Sequence, residues 1–301
     1  MIILTDKPGG ITSHDVVEKI KRASSVPLKI GHTGTLDPMC TGVLPVLTGK
    51  YTKLAELFPS YKTYKAKIKL GIKTDTQDIT GTVISQKEVN VNINELEEVV
   101  SKFIGDIVQI PPMYSAVKIG GVRLYKLARK GIEVERKPRE ITIYKIETDK
   151  TENENEYELT VSCSSGTYIR TLCEDIGEKL NCGAVMTALR RIESNGFSIT
   201  DSHSLESVIE YAQNGILDAI SISCEEAFKD RYNVIMPSDG EKYYLNGGVI
   251  GRDRIKGYFN EETTTAFGGI LLLRVYNEEG RFLGLGEYKS GYLKSIWNEF
   301  V

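Results

Sequence analysis

The chain has no C-x-x-C pair, and its three histidines, His14, His32 and His203, include no two at a spacing of four. A zinc site therefore has little material, and no metal is expected. The five cysteines (Cys40, Cys163, Cys173, Cys182, Cys224) are odd in number and widely spaced. That fits reduced thiols in a cytoplasmic protein better than a disulfide framework. No uninterrupted apolar stretch approaches the roughly 20 residues of a bilayer-spanning helix, so no membrane partner is expected. Met1-Ile2-Ile3-Leu4-Thr5-Asp6-Lys7 lacks a basic region followed by a long apolar one, and no secretory signal is expected. Nucleotide and calcium loops are missing too. Gly42 and Gly49 stand too far apart for a phosphate loop, and Tyr51 replaces the hydroxyl residue that would ligate magnesium. Asp75-Thr76-Gln77-Asp78 has no terminal glutamate to complete a calcium loop.

What remains is an ordinary globular composition. Of 301 residues, 26% are charged and 41% apolar, which argues against wholesale disorder and allows one large domain with an appendage or two ordinary ones. The net charge of −3 argues weakly against a polyanionic partner, but the cations are segregated. Lys118, Arg123, Lys126, Arg129, Lys130, Arg136, Lys137 and Arg139 face only Glu133 and Glu135 between Pro112 and Arg139. Such a stripe is either a phosphate-binding surface or a solvated loop.

The opening residues read as a strand, followed by a Lys7-Pro8-Gly9-Gly10 turn and a helix that starts at Thr12-Ser13-His14-Asp15 with a hydroxyl cap. Val16 and Ile20 give it a buried stripe, and Pro27 marks its end. Residues 30–50, rich in Gly, Thr and Pro, read as a functional loop. Tyr64 to Leu70 alternates apolar residues with lysines, predicting a half-buried strand. Helices are expected over 94–104 and 168–180, a strand over 157–163, and a hairpin over 270–288 that forms a β-rich module with 244–250. Strands and helices do not alternate regularly, so the expected class is α+β with a mixed, largely antiparallel sheet and flanking helices. The composition shift near residue 230 predicts domains 1–230 and 231–301.

Asp6-Lys7-Pro8-Gly9-Gly10 with Thr12-Ser13-His14-Asp15, Gly31 to Gly42, Tyr64 to Gly71 with Thr74-Asp75-Thr76-Gln77-Asp78, Pro111 to Lys118, Gly166-Thr167-Tyr168-Ile169-Arg170 and Leu189-Arg190-Arg191 occur in that order. Together they resemble the motifs of the TruB-type tRNA pseudouridine-55 synthases. The resemblance implies the pseudouridine synthase fold, an RNA-gripping thumb at about 110–140, and a tail similar to a PUA-type RNA-binding domain. It implies an isomerase that breaks the N1–C1′ bond of uridine 55 in the tRNA T-loop, turns the base and joins C5 to C1′. No redox change or added group is involved, so no cofactor is expected. It places the reacting carboxylate at Asp37, its opposing charge at Arg170, and a tyrosine stacked on the base near C5 at Tyr64.

By the same resemblance His32 fills the space left by the flipped nucleotide, and Asp78 contacts displaced nucleotides. Lys7, Lys118, Arg123, Lys126 and Arg129 hold phosphates, while Tyr168 and Leu189 contribute to the substrate pocket. Cys40 stands where the family usually has alanine, and Ser165 where it has lysine. A monomer with no obligate protein partner is expected. Three other readings share these features: a non-catalytic RNA-binding or tRNA-folding protein, a guide-RNA-dependent relative, and a nucleoside glycosylase.

Overall fold

The computed structural model describes residues 1–24, 27, 29–257 and 270–300. The expected tail domain thus includes residues 258–269 and 301, which lie outside the described residues.

Alternation along the strand Lys62–Leu70 turns Tyr64, Ala66, Ile68 and Leu70 into the core and leaves Lys65 in solvent. Antiparallel partners flank it, Glu156–Cys163 on one side and Ala184–Ser194 on the other. The sheet runs His203–Ser204, Ile2–Lys7, Thr41–Thr48, Ala184–Ser194, Lys62–Leu70, Glu156–Cys163, Arg139–Lys150, Gly105–Gln109. Its pairings are antiparallel except at its outermost short strand and where Arg190 and Arg191 lie beside Thr41 and Gly42. That parallel joint brings the second and last motifs of the chain together.

The helix Ser13–Ala23 begins with the expected capping box between Thr12 and Asp15, and buries Val16, Val17 and Ile20. The helix Ile169–Lys179 lays Ile169, Leu172, Cys173 and Ile176 on the sheet face that carries Tyr64 and Ala66. The helix Ile93–Ser101 ends earlier than its periodicity suggests, because Phe103 and Ile104 belong to turns. All five cysteines are free and buried.

Residues 41–48 depart from the loop expected there: Thr41–Thr48 is a strand whose Val43, Leu44, Val46 and Leu47 are buried. Its punctuation has local causes. The Pro45 carbonyl accepts from Thr33 N–H, away from Ile2–Lys7, so the missing proline donor faces that same side and spares the ladder to the first strand. Gly42 has φ +115°, and a Cβ there would lie 2.2 Å from the Arg191 carbonyl oxygen.

The second sheet runs Val249–Gly251, Tyr292–Asn298, Phe282–Lys289, Ile270–Asn277, Asn233–Met236, Lys256–Gly257. The hairpin read from the sequence is at its centre. Tyr244, expected in the β portion, is instead buried on the helix Ser238–Leu245. This sheet shares a core with the first one: Phe282, Leu285 and Trp297 join Ile2, Leu4, Val43 and Leu47 in one cluster. The Trp297 ring meets Tyr51 edge-on at 5.1 Å, and Lys50 donates to the Glu299 carbonyl. Because Gly42 combines a left-handed φ with backbone contact on its open side, Gly42→Ala should destabilise the fold by more than about 2 kcal/mol, read as a lowered urea midpoint.

Candidate active site

Asp37 lies on the segment between the short strand Ile30–His32 and Thr41–Thr48, and four side chains from two distant parts of the chain fasten that segment. The Ser13 hydroxyl accepts from Leu36 N–H at 2.8 Å and donates to the Leu36 carbonyl at 3.1 Å. The Lys7 ammonium donates to the carbonyls of Pro8 (2.8 Å), Pro38 (3.2 Å) and Cys40 (2.6 Å). Arg191 donates to the Gly34 carbonyl at 3.1 Å, and the Thr33 hydroxyl donates to Asn195 at 2.7 Å. The backbone on both sides of Asp37 is therefore pinned, while its side chain remains 38% exposed.

Lys7, expected to hold a phosphate, lies instead beneath this loop. The first strand ends at Lys7 and the chain turns at once, which drives the side chain beneath the loop, where it is fully buried with three acceptors. Burial pulls its pKa down, although Cys40 and Asp37 oppose the shift.

Arg170 meets Asp37 at 2.9 Å from the first turn of its helix, with its own side chain only 5% exposed. The guanidinium also donates to the carbonyls of Thr76 (3.0 Å) and Tyr114 (2.8 Å), and lies 3.7 Å from the Asp78 carboxylate. Two acids and two carbonyls thus fix one cation. Asp78, expected at displaced nucleotides, is instead buried and occupied: it accepts from the Thr76 hydroxyl and Thr80 N–H and braces Arg170.

The Asp37–Arg170 pair lies on the floor of a groove of about 990 Å3. Its walls are the helix start at Thr12–His14, the loop from His32 to Met39, the 75–82 segment, and Tyr114 to Ala116. Arg123, Tyr125 and Arg129 close one side, with the Arg129 guanidinium 5.5 Å from the Tyr125 ring centre. Lys118 and Lys126 are exposed on the same insertion but do not line the groove. His32 lines it, half-buried; burial, then Arg191 and His14, hold its imidazole pKa below the usual value.

Three expected substrate residues stand outside the groove lining. Tyr64 is 7% exposed in the core, its hydroxyl pushed up to about 12 by burial. Leu189 is buried in the same cluster, paired across strands with Ala66. Tyr168 exchanges hydrogen bonds with the Gln109 side chain through its backbone N–H and C=O.

Sequence reading missed the fastenings made by Ser13, Asn195, Gln109 and Arg191. Ser13 stands in a recognised motif but reads as part of a helix cap. Arg191 pairs with Gly34 across 157 positions, a contact that no local pattern announces.

Residues 21–169 match the model of the TruB family pseudouridylate synthase N-terminal domain, and residues 170–229 match that of the tRNA pseudouridylate synthase B C-terminal domain. The tRNA pseudouridine synthase B of Clostridium perfringens is 43% identical over 93% of this chain and 92% of its own. The chain belongs to the TruB family of pseudouridylate synthases. Its relative of the same name in Methylobacillus flagellatus is 39% identical over 96% of this chain and 91% of its own. The crystal structure of a Cbf5-Nop10-Gar1 complex holds a chain that superposes with a TM-score of 0.73 at 25% identity, covering 99% of this chain and 84% of that one. The fold is therefore that of the pseudouridine synthases, a mixed central sheet with flanking helices. The tail sheet fits a PUA-like domain, and in this TruB-family chain its core continues into the main sheet.

If Lys7 fastens the loop and never meets phosphate, Lys7→Met should lower thermal stability by about 1–3 kcal/mol. The slope of log RNA affinity against log salt should stay unchanged. A shallower slope would return Lys7 to the RNA interface.

Proposed function

We propose that this chain is a stand-alone isomerase that converts uridine 55 of the tRNA T-loop to pseudouridine. The observation that carries the reading is the Asp37 carboxylate, held by a buried guanidinium and open on the floor of a groove rimmed by two arginines. The names of the relatives support tRNA as substrate, and the family name supports position 55.

The reaction asks little of the protein beyond placement. The N1–C1′ bond breaks, uracil leaves as a delocalised anion, C5 closes on C1′, and the proton lost from C5 balances the one gained at N1. Asp37 acts on the ribose, either by attack at C1′ or by removing the 2′ proton. Arg170 pairs with that carboxylate and aims it, and the entering nucleotide supplies the burial that Asp37 lacks in the free protein. Tyr64, Leu189 and Tyr168 lie behind the groove lining in the free protein, and on this reading the entering base reaches them, stacking on Tyr64 with Leu189 and Tyr168 shaping the surrounding wall. A T-loop uridine is stacked in the folded tRNA, so it must be flipped out at a cost of a few kcal/mol. His32, on the groove wall, takes the vacated place.

Arg123 and Arg129 hold backbone phosphates at the rim, with Lys118 and Lys126 on the outer face of the thumb. The catalytic domain extends over residues 1–230, and the tail from 231 adds RNA contacts. The chain acts as a monomer. The thumb favours this reading over guide-RNA dependence, since an enzyme that grips its own substrate needs no other component to deliver it.

Incubation of the purified chain with unmodified tRNA transcript should place pseudouridine at position 55 alone. Asp37→Asn should abolish product while leaving tRNA affinity within about threefold. Release of free uracil would identify a glycosylase instead, and binding without product by the unaltered chain would identify a tRNA-folding protein. Within one helix, Arg170→Ala should slow single turnover by roughly 100-fold or more, whereas Lys179→Ala should have little effect. Equal, small losses would remove Arg170 from the mechanism.

A further inference from the structure

Arg170 takes two of its acceptors, the Thr76 carbonyl and the Asp78 carboxylate, from one short turn. Between them stands Gln77, half-buried, with a backbone φ of +65°. A long side chain in that left-handed region is uncommon, and it persists only where the surroundings impose it. The amide shows what imposes it here. Oε1 accepts from the Thr171 hydroxyl at 2.8 Å, and Nε2 donates to the Glu174 carboxylate. An ionised carboxylate only accepts, so Glu174 fixes which end of the amide faces which partner. Glu174 is itself anchored 3.7 Å from Lys73 Nζ, and the same lysine meets Glu178.

Both partners belong to the helix Ile169–Lys179, Thr171 next to Arg170 and Glu174 one turn beyond it. The other side-chain bonds of the turn do a different job. Thr74 and Thr76 donate to the Asp78 carbonyl, and Thr76 and Thr80 to its carboxylate. These shape the turn without tying it to the helix. The Gln77 carbonyl accepts from Met186 N–H at 3.2 Å, which ties the turn to the strand Ala184–Ser194. Among the described residues, the side-chain hydrogen bonds from turn to helix are those of Arg170 and Gln77.

We infer that Gln77 is a positioning residue for the reaction, setting helix against turn so that Arg170 meets Asp37 and its other acceptors together. The inference rests on the proposed function, in which Asp37 and Arg170 form the reacting pair. Gln77 is not part of the groove lining, so its influence on the reaction has to pass through Arg170. Its loss would leave the buried Thr171 hydroxyl without its acceptor and free the turn to quit its left-handed bend. Misplacing a reacting group by about 1 Å can cost about 100-fold in rate. Arg170 would still hold its own pair with Asp37, so a smaller loss is expected.

The test compares single-turnover isomerisation of unmodified tRNA by the unaltered chain, Gln77→Asn and Gln77→Gly, each also made in Arg170→Ala. Asparagine tolerates the left-handed backbone, but it is one methylene too short to keep both partners. Glycine adopts that φ without strain, so the second variant keeps the fold. Both should slow the step about tenfold while tRNA affinity stays within about twofold. In the Arg170→Ala background the same changes should cost less than about twofold, because the group they act through is gone. Equal losses in both backgrounds would show a merely structural role and overturn the inference. Unchanged turnover in Gln77→Gly, or a loss confined to tRNA affinity, would overturn it too. Failure of the unaltered chain to isomerise tRNA would overturn the functional reading itself, a distinguishable result.

Discussion

A single buried guanidinium organises the reactive end of this molecule. Arg170 lies on the buried face of its helix, surrounded by core, and both of its terminal nitrogens are answered by oxygens. Such a group cannot drift, because leaving any acceptor would strand a charge away from water. Asp37 inherits this rigidity. The loop bearing it is held by Ser13 before the aspartate and Lys7 after it, so backbone and side chain are fixed by independent means. Pre-organisation of this kind suits chemistry in which the protein contributes position more than reagents.

The two fully buried basic residues below the loop divide the work. Lys7 gives all its donors to backbone carbonyls, and is in effect a structural crossbeam. Arg191 spends two nitrogens in the same way and keeps one in reserve. The difference follows from position: Lys7 ends the strand beneath the Pro38–Cys40 turn, whereas Arg191 comes from a neighbouring strand and reaches Gly34 and Val43.

Much of this was legible in the sequence where the signal is local. The Thr12–Asp15 box, the alternation from Tyr64 to Leu70 and the apolar spacing of Ile169, Leu172 and Ile176 each follow from periodicity or capping, and each element stands where those patterns place it. The motif order led to Asp37 and Arg170, which the fold brings within 2.9 Å. The strand Thr41–Thr48 was hidden by Gly42 and Pro45, residues that normally end strands; here one admits a crossing backbone and the other faces a gap in the ladder. Lys7 misled for a different reason. A lysine beside Pro-Gly-Gly looks solvent-exposed, and only the tertiary position of the loop buries it. Asp78 likewise carries a charge whose partner lies 92 residues away, beyond any window that sequence patterns cover.

The fastenings of the loop have a consequence for biosynthesis. Thr33 and Gly34 are secured by Asn195 and Arg191, across 162 and 157 positions. A nascent chain that has emerged from the ribosome only as far as residue 160 contains the whole loop and none of these anchors. Closing so long a span comes late in folding. Half-made molecules, surrounded by abundant RNA, would therefore be inert, and competence would arrive in one step once the strand Ala184–Ser194 docks.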